Sequence, residues 1–277
     1  MSHTLLVILG TALLGLAAGI VGVLAMLRRQ ALLGDVLAHA TLPGLALAFL
    51  VVASKQIEAL LLGAIVSCVA AALTVWILDR WTRLKADARL GLVLGVFFGT
   101  GMAVLGSVQD VPGGGQAGLE AYLFGKPAGM LQRDLVWLSV LASVCLMLVV
   151  LCYKEFQLLT FDAAFARAQG WPVQFLDVLL LGLVVLVVVI GLPVVGVVMV
   201  SAMLILPAAT ARFWTNRLHV LLLLAGTLGA SMGVVGTLIS THIPELPAGP
   251  TIILSGTVFF ALSLLFGAKR GLLIRRR

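Results

Sequence analysis

Apolar residues run along this chain in long stretches broken by short polar punctuation, and the stretches have bilayer length. A hydrocarbon core about 30 Å thick takes roughly 17–25 apolar residues per helix. Nine runs meet that requirement, approximately 4–27, 36–53, 57–78, 90–108, 134–152, 173–190, 193–210, 218–240 and 250–267. The pattern predicts an all-α polytopic membrane protein of about nine transmembrane helices, eight if a weak run does not cross, in one transmembrane domain over 1–277. The first run has no lysine or arginine before Leu5 and is too long for the apolar part of a secretory signal, so it reads as a retained span.

Several runs are poor simple anchors. Pro43 interrupts the second, and Gly191, Pro193, Gly196 and Pro207 break up the sixth and seventh, where lipid would penalise unsatisfied backbone groups. Broken helices of this kind line cavities in transporters. Small residues also recur at helical spacing, in Gly15 with Gly19, in Gly91, Gly95 and Gly99, and in Gly229 with Gly233. Such stripes let helix backbones approach closely.

Composition agrees with the pattern. Of the 277 residues, 62% are hydrophobic and 10% charged, against about 25% charged in a soluble domain. Disorder, collagen and a disulfide scaffold are excluded, and Cys68, Cys145 and Cys152 lie inside apolar runs as packing residues. The net charge of +7 is no sign of nucleic acid, because its positions follow the rule that positive loops stay in the cytoplasm. One set of connections holds Arg28 and Arg29; Arg80, Arg83, Lys85 and Arg89; Lys154 and Arg167; Arg212 and Arg217; and Lys269, Arg270, Arg275, Arg276 and Arg277. These are 15 of the 18 basic residues, and the other side has only Lys55, Lys126 and Arg133. Nine spans with the N-terminus outside and the C-terminus in the cytoplasm follow as the expected topology.

The sharpest chemistry is GDVLAHATLPG, residues 34–44. Asp35 and His39 are four apart and project about 40° from one another around a helix. Ionisable groups within a span cost a few kcal/mol and normally face a cavity or partner. A carboxylate with an imidazole suits manganese, iron(II) or zinc. The alternative is that Asp35 caps a helix and His39 bonds to a neighbouring span.

Other polar segments are weaker. KEFQLLTFDAAFARAQGWP, from Lys154 to Pro172, carries Glu155, Asp162, Arg167 and a Gly170 stop signal, and reads as a short amphipathic helix outside the hydrocarbon or a solvated loop. His242 and Glu245 fall in a proline-stiffened outer turn and read as surface residues. The 109–118 stretch, QDVPGGGQAG, reads as a flexible outer connection. Gly118 to Pro127 only superficially matches a phosphate-binding loop, having six residues between its glycines and no Ser or Thr after Lys126. The chain thus has no ATPase motif of its own. Nor does it carry an H-E-x-x-H helix or a G-x-S-x-G elbow, which counts against an intramembrane metalloenzyme. A metal-gated channel stays open as a different-class alternative.

Four segments then occur in order. GDVLAHATLPGLALAF (34–49), LLTFDAAFARAQGWP (158–172), VGVVMVSAMLILPAATAR (195–212) and LPAGPTIIL (246–254) together resemble the permease subunit of the manganese, zinc and iron-chelate ABC importers, along nearly the whole chain. The resemblance implies a bacterial cytoplasmic-membrane permease that pairs with a second permease copy or paralogue. It further implies separate cytoplasmic ATPase subunits as the motor and an extracytoplasmic metal-binding protein as the donor. The chain would be no enzyme, would bind no cofactor and would carry manganese or iron, with zinc as the alternative. The family's metal-path aspartate and histidine fall on Asp35 and His39. Its cytoplasmic coupling helix falls on Thr160 to Gly170, within a segment of about 154–171, where Phe161, Asp162, Phe165, Ala166 and Gly170 would meet the ATPase. Phe161 and Phe165 are expected on one face of a single helix.

Overall fold

A computed structural model describes residues 3–52, 57–108, 125, 129–243 and 246–273. Lys55, the 109–118 stretch, Lys126, Glu245 and Arg275 to Arg277 lie outside the described residues. The rest forms helices α1 (His3–Leu27), α2 (Leu33–His39), α3 (Thr41–Val52), α4 (Ile57–Trp81), α5 (Ala86–Val108), α6 (Gln132–Leu151), α7 (Tyr153–Phe161), α8 (Ala163–Ala168), α9 (Val173–Val195), α10 (Val197–Arg212), α11 (Leu218–His242) and α12 (Ala248–Phe266). Among the described residues, eight helical stretches are long and apolar enough to cross a membrane, with α2 and α3 together making one of them. The seventh predicted run is instead the 16-residue α10, about 24 Å long at 1.5 Å per residue.

The shortness of α10 has a local cause. Gly196 adopts φ 85° and ψ 167°, a conformation essentially reserved for glycine, and ends α9 one residue before α10 begins. The chain doubles back there, since Gly191 of α9 packs on Val200 of α10. The expected breaks at Pro193 and Pro207 do not occur. Both prolines are carried inside continuous helices.

The two ends of the bundle differ chemically. At one end Arg28 pairs with Asp177 at 2.5 Å, Arg80 donates to Gln174 at 3.2 Å, and buried Arg89 pairs with Asp79. The α7–α8 junction, Arg212 and Arg270 border one cavity with Arg28 and Arg29 at this same end. At the other end Thr11 and Thr237 share a 3.0 Å hydroxyl contact, and Ser240 donates to the Leu246 carbonyl at 2.8 Å. The basic connections are thereby gathered on one side, as their spacing predicted.

Lipid tails are as apolar as leucine, so close packing has to hold these helices together. Helix α1 is the centre of that packing and lies along α11. A Cβ at Gly15 would collide with the Gly229 carbonyl, one at Gly19 with the Ala225 carbonyl, and one at Gly233 with the Thr11 carbonyl. A pair not singled out from the sequence, Gly44 and Gly63, brings α3 onto α4 equally closely. The Gly91, Gly95 and Gly99 stripe departs from expectation. A Cβ at any of the three meets nothing within 4 Å, so this face of α5 packs on none of the described residues. Cys68 and Cys145 are buried packing residues, and all three cysteines are free.

Candidate metal path and coupling segment

The Asp35–His39 pair owes its setting to an interrupted span. Pro43 has no N–H for the carbonyl of His39, four residues before it, and the helix breaks between α2 and α3 at Ala40. The break is lined with satisfied groups. Thr41 donates its hydroxyl to the Ala38 carbonyl at 2.6 Å, and Ser67 of α4 donates to the Ala40 carbonyl at 2.6 Å. Irregular backbone at membrane depth persists only with such partners or beside a cavity.

On the helix before the break, His39 Nε2 lies 3.4 Å from Asp35 Oδ1. The one-face geometry expected from the spacing is therefore realised. The Asp35 side chain is 30% exposed and that of His39 21%, so the pair is half-open. Two neighbours come from distant segments. Ser201 of α10 neighbours the Asp35 carboxyl, and its hydroxyl donates to the Val198 carbonyl at 2.9 Å. The Phe98 ring of α5 meets the His39 ring edge-on, with centroids 5.1 Å apart. Sequence reasoning missed both. A serine within the apolar run 195–206 was the only available signal for one, and Phe98 had none.

His39 Nδ1 is buried and makes no hydrogen bond with any described residue. The ring nitrogen that faces Asp35 is the other one, Nε2, so an ion shared by the pair would meet Nε2. Among the described residues no third His, Cys, Asp or Glu joins the pair to form a metal-holding group. A carboxylate and an imidazole from one chain give a two-donor set for a transition ion. Such a set grips less firmly than the closed four-ligand sites of structural zinc. His242, exposed and bonded through Nδ1 to the Leu238 carbonyl at 2.8 Å, sits at the far end of α11.

The second candidate segment is two helices, not one. Helix α7 stops at Phe161, and Asp162, at φ −150° and ψ 89°, caps α8 by accepting from the backbone N–H groups of Ala164 and Phe165 at 3.0 and 2.9 Å. Aspartate is a strong N-cap because its carboxylate serves orphan donors of the first turn. Phe161 and Phe165 therefore sit on either side of a break, although both remain exposed, at 66% and 52%. Ala166 is fully buried and supports α8 from beneath. Gly170 closes the segment at φ 83°, with Gly170 N–H bonded to the Arg167 carbonyl and Trp171 N–H to the Ala166 carbonyl, both at 3.0 Å. These two bonds form a Schellman motif, for which glycine is the usual left-handed residue.

Comparison with known proteins covers the same ground. Residues 2–267 match the model of the ABC 3 transport family. The chain is 43% identical over 270 residues to the manganese transport system membrane protein MntC of Bacillus subtilis, covering 98% of this chain but only 62% of that longer protein. It is also 43% identical over 267 residues to the zinc transport system membrane protein TroC of Treponema pallidum, covering 96% and 90% of the two chains. Among solved structures, PsaBC from Streptococcus pneumoniae in complex with Fab superposes with a TM-score of 0.83 at 29% identity, covering all of this chain and 96% of the other.

Proposed function

The chain belongs to the ABC 3 transport family, and from that membership we propose that it is the permease subunit of an ATP-driven importer of a divalent transition metal. Manganese or iron is the first choice of cargo and zinc the second. The subunit is a multi-pass protein of the bacterial cytoplasmic membrane and a transport component, with ATP hydrolysis residing in partner subunits. It holds no resident cofactor, and the metal passes through as substrate.

The observation that carries this reading is the half-open Asp35–His39 pair beside a break in a span, with His39 Nε2 turned to the Asp35 carboxylate. Two donors per chain favour handing an ion on over trapping it. The bare Gly91, Gly95 and Gly99 face of α5 supports a second permease packing there, and a second copy would add two more donors to the path. The exposed Phe161 and Phe165 beside the basic end support an ATPase seat at the capped break, because exposed aromatic anchors in a groove often dominate an interface. The excess of lysine and arginine at that end supports its lying in the cytoplasm, with the N-terminus outside. An extracytoplasmic metal-binding protein would then deliver at the opposite end.

Transport by alternating access requires the cargo to have different affinity for the outward- and inward-open states. ATP binding and hydrolysis in the partners rock the two permeases and change the environment of Asp35 and His39. The test is uptake into proteoliposomes holding this permease, its ATPase and its binding protein, scanned across manganese, iron and zinc. The expected result is ATP-dependent accumulation of one of these ions. Accumulation without ATP would instead identify a channel.

A further inference from the structure

A sizeable cavity lies away from the metal path. It lies at the basic end, between the end of α1, the α7–α8 junction, the α10–α11 connection and the segment after α12, with a volume of about 660 Å³. Four arginines border it, Arg28, Arg29, Arg212 and Arg270, and among the described residues no acidic side chain does. Arg28 is neutralised by Asp177, yet its Nε is buried without a partner. Among the described residues no carboxylate pairs with the other three. Three uncompensated guanidiniums around one cavity repel one another, and an anion between them removes that cost.

The cavity is also apolar over part of its wall, through Met26, Leu27, Leu159 and Leu221. These side chains belong to helix ends that continue into the bilayer-length spans, apart from Leu159 of α7. A phosphate alone would use the arginines and leave this apolar wall idle. An amphiphile uses both. Guanidinium forks match phosphate oxygens bidentately, and basic pockets between transmembrane helices on the cytoplasmic side are suited to anionic lipid headgroups. Arg29 is in addition the one non-glycine residue with positive φ among the described residues, at 58°. It closes α1 in a Schellman motif, with Arg29 N–H bonded to the Met26 carbonyl at 3.1 Å and Gln30 N–H to the Ala25 carbonyl at 2.9 Å, and this turn sets Arg29 at the cavity rim.

We propose that this cavity is a binding site for the phosphate headgroup of an anionic phospholipid, with the lipid's glycerol and first methylenes on the apolar wall. Thr160, Phe161 and Ala163 border the same cavity, so a bound lipid touches the segment assigned above to the ATPase. Occupancy thereby links membrane composition to coupling. The link to coupling rests on the functional reading, whereas the binding itself does not and is measured without transport.

The test is native mass spectrometry of the full chain, alone and with its ATPase, titrated with phosphatidylglycerol or phosphatidylcholine. Phosphatidylglycerol should be retained at least about fivefold more strongly, and Arg212→Gln with Arg270→Gln should erase the difference. Arg212→Lys with Arg270→Lys should keep much of it, and Arg83→Gln, an exposed arginine outside the cavity, should leave it intact. Thermal melting of each variant separates loss of binding from loss of fold. Equal retention of both lipids by the parent protein, or an unchanged preference in a folded double-Gln variant, would overturn the proposal. Displacement of the lipid by millimolar inorganic phosphate would make the cavity a free-anion site, and displacement by the ATPase subunit would make it part of the motor seat. Either result removes the lipid assignment.

Discussion

The Arg28 guanidinium lies 2.5 Å from the Asp177 carboxylate, joining the end of α1 to the first turns of α9, and it reaches the Leu159 carbonyl of α7 at 3.4 Å. One side chain thus ties two spans to the helix that leads into the coupling segment. The pair is partly shielded, with 20% and 24% of the side chains exposed. Asp177→Asn should destabilise the protein by about 1–3 kcal/mol, less than for a fully buried pair, because Arg28 is left without its counter-charge. Arg28→Met with Asp177→Leu should recover part of that loss. Thermal unfolding in detergent for the double-mutant cycle checks this, and strict additivity would show that the two groups are not coupled.

Asp35→Ala or His39→Ala should reduce metal uptake by at least about tenfold, the effect of roughly 1.4 kcal/mol in binding, and leave copurification with the ATPase unchanged. Both side chains are half-open, so their removal deletes donors and little packing. Normal uptake by both variants would show that the metal takes another path.

The two glycine stripes predict opposite outcomes. Gly15→Ala forces a methyl against the Gly229 carbonyl and should cost about 1–3 kcal/mol of stability as overpacking. Gly95→Ala meets nothing among the described residues and should leave the melting temperature of the isolated permease unchanged or raised. Gly95→Leu should weaken permease pairing, measured by crosslinking. If it pairs normally, the α5 face is turned to lipid.

Phe165→Asp should abolish stimulation or binding of the ATPase without lowering the melting temperature, since Phe165 is exposed. Asp162→Ala removes an N-cap worth about 0.5–2 kcal/mol and should loosen the six-residue α8, weakening coupling less than Phe165→Asp does. Copurification and ATPase stimulation are the readouts. An unaffected Phe165→Asp protein would move the motor seat elsewhere.

Sidedness has a direct check. A tag after Arg277 should resist protease added to intact cells, and a cysteine introduced at 113–115 should be labelled by an impermeant reagent from outside. The opposite labelling would reverse the proposed orientation.

Long apolar runs and basic loops are additive local properties, so the helical membrane class, the positions of the eight bilayer-length spans and the gathering of arginines at one end were legible in the residues, whereas the shortness of the seventh run was not. The Asp35–His39 pair was legible too, because a spacing of four within one helix needs no other part of the chain. What the tertiary structure decided depends on partners far away in sequence. The glycines at 15 and 229 meet because α1 and α11 cross there, while those at 91, 95 and 99 have the same spacing and meet nothing. Ser201 and Phe98 reach the pair only because α10 and α5 fold beside α2, and Ala166 is buried only because of what packs around α8. The turn at Gly196 makes the same point within one residue: glycine permits the left-handed backbone, but the packing of α9 against α10 selects it.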